Sequence, residues 1–122
     1  MDSMRTPARQ AILFRLEPSL AVELSSALRG ANCDVTPSTG DSPNRGADVV
    51  FCTGGASLLA AQSAFPSVPV VVVSRVPEPE EWIEVLEAGA CDYAAAPFET
   101  IQMRWVLDAL GTNSNTRAAA AA

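Results

Sequence analysis

A chain of 122 residues, 48% of them hydrophobic, with 8 Lys+Arg against 14 Asp+Glu and a net charge of -6, has the size of one domain. Every basic residue is an arginine, which excludes a histidine base, a His-liganded zinc, a phosphohistidine, a Schiff-base lysine and a Walker-type phosphate lysine. The acidic balance and the scattered single arginines also lack the clustered cations of a nucleic-acid footprint, so no nucleic-acid partner is expected.

In chain order, Ala11-Ile12-Leu13-Phe14 is a continuous apolar run, which predicts a strand covered on both faces. Pro18 suits a first helical turn, Leu20, Leu24, Ala27 and Leu28 follow at helical spacing, and Gly30 provides a stop. Cys33 and Val35 mark a short second strand. From Ser38 to Ala47, with Pro37, Gly40, Pro43 and Gly46 as punctuation, a polar stretch stands where alternation would call for a second helix, and the reading there is a loop or at most a helical turn. Asp48 to Cys52 is a third strand, ending at Thr53-Gly54-Gly55. Leu58, Leu59, Gln62 and Phe65 predict a short helix before Pro66. Val68 to Val73 is the most hydrophobic strand, expected to be central, with Pro69 tolerable only near its beginning. Glu80 to Ala88 predicts an acidic amphipathic helix with Ile83 and Leu86 on its core face, closed by Gly89. Tyr93 to Ala96 is a weak fifth strand and Phe98 to Leu110 the last helix.

Strands alternating with helices predict a parallel sheet between helical layers, a three-layer α/β domain. The organisation expected is an N-terminal extension over 1–8, the domain over 9–110, and a low-complexity tail over 111–122 that ends in Arg117 and a run of alanines. Cys33, Cys52 and Cys91 are odd in number and form no C-x-x-C pair, so they read as reduced, partly buried thiols. Met1 to Gln10 reads as neither signal peptide nor anchor, and the longest apolar run falls far short of the roughly 18 residues of a membrane span. A cytoplasmic protein without a membrane partner is expected.

In open α/β sheets, function collects at the carboxyl ends of the strands. Here those ends carry Arg15-Leu16-Glu17, Thr53-Gly54-Gly55, Ser74-Arg75 and Ala96-Pro97. Arg15 either points to solvent or pairs with Glu17 or Asp34. Thr53-Gly54-Gly55 is either a tight strand-to-helix turn or a place where backbone amides gather on an anion, though it lacks the fuller phosphate-loop patterns.

Three segments, Val68-Pro69-Val70-Val71-Val72-Val73-Ser74, Glu87-Ala88-Gly89-Ala90-Cys91-Asp92-Tyr93 and Ala96-Pro97-Phe98-Glu99, resemble the second half of a response-regulator receiver domain, the CheY-like family. Ile12-Leu13-Phe14 with Glu17-Pro18-Ser19-Leu20, and Ala47-Asp48-Val49-Val50-Phe51-Cys52, are similar to its first half more loosely. The resemblance runs from about Arg9 to Leu110. It implies a doubly wound, five-stranded parallel sheet of order 2-1-3-4-5, with the second helix reduced or replaced by a loop.

In that family an acidic pair after the first strand binds Mg²⁺, an aspartate ending the third strand accepts a phosphoryl group, and a lysine near the fifth strand pairs with it. A Ser/Thr and an aromatic residue relay the change to the surface. Carried onto this sequence, the acidic pair falls on Arg15 and Leu16, the phosphoacceptor on Thr53 and the lysine on Ala96. Ser74 and Tyr93 retain the relay pair, and Pro97 follows a bond commonly cis in the family. A hydroxyl at Thr53 cannot form an acyl phosphate, and Glu17 alone is a weak ligand for a hard cation that requires several oxygens. The resemblance therefore implies a degenerate receiver, a pseudo-receiver: no enzyme, no cofactor, no Mg²⁺.

What the family would leave in place is its interaction face, formed in its own count by the fourth helix, fifth strand and fifth helix. Trp82 beside Glu81 and Val85, with Arg104 and Trp105 on the last helix, are the candidates for it. The expected function is a protein-protein interaction module in bacterial two-component or phosphorelay signalling, with a signalling protein or a second copy as partner. The alternative is a small domain that senses an anion or nucleotide at Thr53-Gly54-Gly55.

Overall fold

The computed structural model describes residues 9–38 and 47–121, and of the residues beyond Leu110 it describes only the backbone. Strands β1 (Arg9–Phe14), β2 (Cys33–Ser38), β3 (Val49–Cys52), β4 (Val70–Ser74) and β5 (Asp92–Ala95) alternate with helices α1 (Pro18–Gly30), α2 (Ala56–Ala64), α3 (Pro79–Glu87) and α4 (Thr100–Ala121). The strands form one parallel sheet of order β2-β1-β3-β4-β5. This is the predicted α/β architecture and strand order. Of the stretch from Ser38 to Ala47 read as a loop in place of a second helix, Ser38 instead ends β2, and 39–46 lie outside the described residues.

Alternation along each strand feeds two cores. Ala11, Leu13, Phe51, Val71 and Val73 pack with Leu20, Leu24 and Leu28 of α1 and Met103, Val106 and Leu107 of α4. Ile12, Phe14, Val50, Cys52 and Val72 point to the other face and pack with Leu58 and Ala61 of α2 and Val85 of α3. Phe14 and Phe65 meet edge to face there, with ring centroids 6.0 Å apart.

Every strand differs from the reading of the sequence by a residue or more at one end or both, and two of the differences involve prolines. β2 continues through Pro37, which an edge strand tolerates because its outer side has no ladder bond to lose. β4 begins at Val70, leaving Pro69 outside, where its carbonyl accepts from the Val50 N–H at 2.9 Å. No helix among the described residues is long and apolar enough to cross a membrane.

The rotation of α3 is the main correction. Ile83 and Leu86, expected on the core face, are 58% and 41% exposed, whereas Val85, expected at the interaction face, is 3% exposed and seats the helix on the sheet. The Tyr93 hydroxyl donates to Glu81 Oε1 at 2.8 Å and accepts from the Glu78 N–H at 3.3 Å. These bonds pin the first turn of α3 to β5. Val85, one turn on from Glu81, then faces inward and Trp82, Ile83 and Leu86 turn outward.

Candidate functional site

At the carboxyl ends of the strands, β1 gives way to Arg15, whose φ of 55° turns the chain out of the sheet while its N–H donates to the Ser38 carbonyl at 3.0 Å. The Arg15 guanidinium lies 4.8 Å from the centroid of the Phe14 ring. Leu16 packs against the core beneath α1 and α4. Glu17 stands at the start of α1, immediately before Pro18.

The cation that meets Glu17 is Arg75, not Arg15. Arg75 Nε donates to Glu17 Oε1 at 2.8 Å, its Nη2 donates to the Ser19 hydroxyl, and Nη1 lies 3.7 Å from Glu23 Oε2. The hydrogen bond from Arg75 holds the Glu17 carboxyl below its ordinary value of 4.5, and the same bond raises Arg75. A guanidinium from the end of β4 thus ties that end of the sheet to the first turns of α1. The sequence carried a signal for this: Glu17 and Ser74-Arg75 both lie at strand ends that the topology brings to one edge.

Thr53, where the resemblance places the phosphoacceptor, is half-buried after Cys52. Gly54 and Gly55 then turn the chain into α2, Gly55 with φ of 67°. A Cβ on Gly54 would lie 2.9 Å from Glu81 Oε2 and 3.3 Å from Val85 Cγ1, so a larger residue there would push the Glu81 carboxylate aside. The carboxylate brought against this turn opposes the binding of an anion there.

Ser74 and Tyr93 converge on one short segment. The Ser74 hydroxyl donates to the Val76 carbonyl at 2.9 Å, and the Tyr93 hydroxyl lies 3.4 Å from the same oxygen while donating to Glu81. Ala96, at the position of the family's lysine, packs against the core and donates its N–H to the Ser74 carbonyl at 2.8 Å. The Ala96–Pro97 peptide bond is cis, as the resemblance implies.

The residues around this edge do not fit Mg²⁺. Arg15 and Leu16 supply no carboxylate, Glu17 is engaged by a guanidinium, and among the described residues no group of three or more His, Cys, Asp or Glu side chains could hold a metal ion. Cys52 is fully buried and its thiol is pushed up to about 12 by that burial; burial and the carboxylates of Asp34 and Asp48 push Cys33 up to about 11.

On the flank of the sheet, β5 is an edge strand whose Ala94 faces the α1 and α4 core and whose Tyr93 faces the α2 and α3 core. The helices beside it expose large apolar side chains: Trp82 (51%), Ile83 and Leu86 on α3, and Ile101 and Trp105 (65%) on α4. Arg104 is exposed beside Trp105. Of the face expected from the sequence, Trp82, Arg104 and Trp105 lie at the surface, Glu81 is occupied by Tyr93, and Val85 is buried.

No protein-family model and no curated protein matches the chain. Solved structures do. NtrX from Brucella abortus superposes with a TM-score of 0.72 at 20% identity, over 93% of this chain and 29% of that one. A response regulator from Thermotoga maritima gives 0.66 at 19% identity, over 84% of this chain and 97% of that one. The CheY-like protein TadZ from Pseudomonas aeruginosa gives 0.65 at 19%, over 84% and 98%. The fold is the CheY-like receiver fold. This chain therefore spans nearly the whole of the single-domain receivers it resembles and less than a third of NtrX.

Proposed function

We propose that this receiver fold acts as a non-phosphorylatable pseudo-receiver, a protein-protein interaction module of bacterial two-component or phosphorelay signalling in the cytoplasm. Its partner is a signalling protein or a second copy, met through α3, β5 and α4. The observation that carries the reading is the pair of exposed tryptophans, Trp82 and Trp105, on the helices beside the edge strand β5. Large aromatic side chains held in solvent by rigid helices supply the anchors on which interface energy concentrates.

The strand ends support the negative half of the proposal. Phosphoryl transfer to protein requires a nucleophile that can form the adduct and a divalent cation to balance charge on the equatorial oxygens. Thr53 is not a carboxylate, and Arg75 already neutralises Glu17. With a hydroxyl at Thr53 and no cation at Ala96, Ser74 and Tyr93 have no phosphate to report.

Sedimentation velocity and pull-down with the full chain, wild type against the Trp82→Ala and Trp105→Ala variants, test the interaction. A self-association or captured signalling protein that both substitutions weaken is expected. A strict monomer with no partner in either form would remove the proposal's support. Treatment with acetyl phosphate and Mg²⁺ tests the other half: a hydroxylamine-labile phosphoryl adduct would overturn it. Stabilisation by inorganic phosphate or a nucleotide, abolished by Gly55→Asp, would favour the anion-sensing alternative.

A further inference from the structure

A cleft of ≈ 470 Å³ separates α2 from α3, lined by Gly54, Gly55, Leu58, Leu59, Glu81 and Glu84, with Val85 beneath. Neither tryptophan, nor Ile83 nor Leu86, lines it, so the aromatic anchors of the face proposed above lie outside this cleft although both use α3. Its walls differ in chemistry. On the α2 side Leu59 is 62% exposed, an aliphatic side chain that α2 turns to solvent instead of to Leu58 and the core. On the α3 side stand two carboxylates. Glu81 spends Oε1 on the Tyr93 hydroxyl and turns Oε2 toward Gly54 at the mouth of the cleft, and Glu84 is exposed one turn further along. The floor at Gly55 is bare, with nothing within 4 Å of where a Cβ would project.

Among the described residues, no cation pairs with those carboxylates. Between Arg75 and Arg104 the sequence holds Glu78, Glu80, Glu81, Glu84, Glu87, Asp92 and Glu99 and no basic residue. Arg75 is committed to Glu17 and Glu23, Arg9 to Asp108, and no ion pair among the described residues reaches α3. A cation from a partner complements the two carboxylates. A second copy of a chain at -6 brings more of the same sign than it brings cation, and the repulsion disfavours it as the occupant.

We infer that the α2–α3 cleft docks a basic, apolar-flanked segment of a partner protein. An arginine or lysine lays its alkyl stem along Leu59 and the glycine floor and carries its charged end to Glu81 Oε2 and Glu84. A neighbouring aliphatic residue of the segment packs against Leu59 and Ala88, the exposed apolar side chains of the lining. The geometry selects for charge and stem together: a bare cation gains only the exposed carboxylates, and an apolar segment leaves them without a counter-ion.

The test uses the full chain, ¹⁵N-labelled, and three synthetic peptides: an alternating Arg/Leu peptide, its Glu/Leu counterpart, and a Lys/Ser peptide of equal positive charge. The Arg/Leu peptide is expected to bind, with amide shifts concentrated at Gly54, Gly55, Leu59, Glu84 and Ala88. Leu59→Ser and Glu84→Gln, both at exposed positions, should each weaken it roughly fivefold, and raising salt past the point where the Debye length falls to about 8 Å should weaken it further. Trp82→Ala should leave this binding unchanged, which separates the result from that of the tryptophan face. Equal binding of the Lys/Ser peptide would mean charge attraction alone and would overturn the inference. So would shifts mapped to Trp82 and Trp105, absence of binding by the Arg/Leu peptide, or self-association that Glu84→Gln abolishes.

Discussion

The carboxyl ends of the strands and the flank around β5 are built in opposite ways. At the strand ends the polar groups close on one another: Arg75 on Glu17, Ser74 on Val76, Ala96 N–H on the Ser74 carbonyl. At the flank the apolar groups stay open, with Trp82, Ile83, Leu86, Ile101 and Trp105 turned to solvent. The polar groups at the strand ends are satisfied by one another, and the large apolar groups of the flank are left to solvent. The two share one connection, Tyr93, whose hydroxyl reaches Val76 at the end of β4 and Glu81 at the head of α3.

The largest effect expected from breaking this contrast lies on the open side. Replacing both Trp82 and Trp105 by alanine removes the two aromatic anchors, and at about 2 kcal/mol or more for each anchor lost, partner affinity should fall at least about 30-fold for a single substitution. Because both side chains are exposed, unfolding free energy should move by less than about 0.5 kcal/mol. Calorimetric titration and urea unfolding on the same variants separate these outcomes. A variant that loses stability and affinity together would show that the tryptophans pack the fold.

Val85→Ala should do the reverse. The side chain is 3% exposed and is the buried contact of α3 with its core, so its truncation should cost about 2 kcal/mol of stability by urea unfolding. Tyr93→Phe should cost about 1 kcal/mol, because Glu81 and the Glu78 N–H each lose a partner but can turn to water. It should also loosen the rotation of α3, read as a change in Trp82 fluorescence. Unchanged fluorescence would mean that Val85 alone sets the rotation.

These residues also mark what the sequence could and could not reveal. The order of strands and helices is legible because apolar period changes from two to near four as elements alternate, and a strand buried on both faces, such as Val70 to Val73, has no polar side to mislead the reader. The face of α3 is not legible in the same way. In its nine residues Trp82, Ile83, Val85 and Leu86 spread around much of the helix, so periodicity permits more than one inward face, and a tertiary hydrogen bond from Tyr93 chooses. Arg75 and Glu17 lie 58 residues apart. Their pairing follows from which strand ends are neighbours in space, which the order 2-1-3-4-5 narrows without specifying a side-chain direction. Arg15 was the nearer partner along the chain, and its positive φ and its place over Phe14 set it apart from that role.

The buried thiols give a smaller effect that reports on the core alone. Burial raises Cys52 from its ordinary 9.0 to about 12 and Cys33 to about 11, so the folded chain keeps both protons where the unfolded chain releases them. Stability from this source is complete below pH 9 and is lost as pH rises toward 11 to 12. Urea midpoints should therefore fall through that window, and Cys52→Ala should flatten the fall. A midpoint that stays level from pH 9 upward would place the thiols in contact with water.

Arg75→Ala should give the smallest change in stability and the most direct test of the closed side. Arg75 and Glu17 are 43% and 54% exposed, so water and salt screen the pair and little stability rests on it. Its signature is the pH dependence. Glu17 has a lowered value in the folded chain, so its contribution is present above the ordinary 4.5 and is lost as pH falls through the lowered value. The difference in melting temperature between wild type and Arg75→Ala should accordingly shrink at acid pH and at high salt. Removing the guanidinium leaves Glu17 and Glu23 facing the strand ends without a third carboxylate from Arg15 or Leu16. Mg²⁺ should then fail to stabilise the variant, since a hard cation requires more oxygen ligands than two separated carboxylates supply. A clear Mg²⁺-dependent rise in the melting temperature of Arg75→Ala would show instead that Glu17 and Glu23 hold the cation once the arginine is gone.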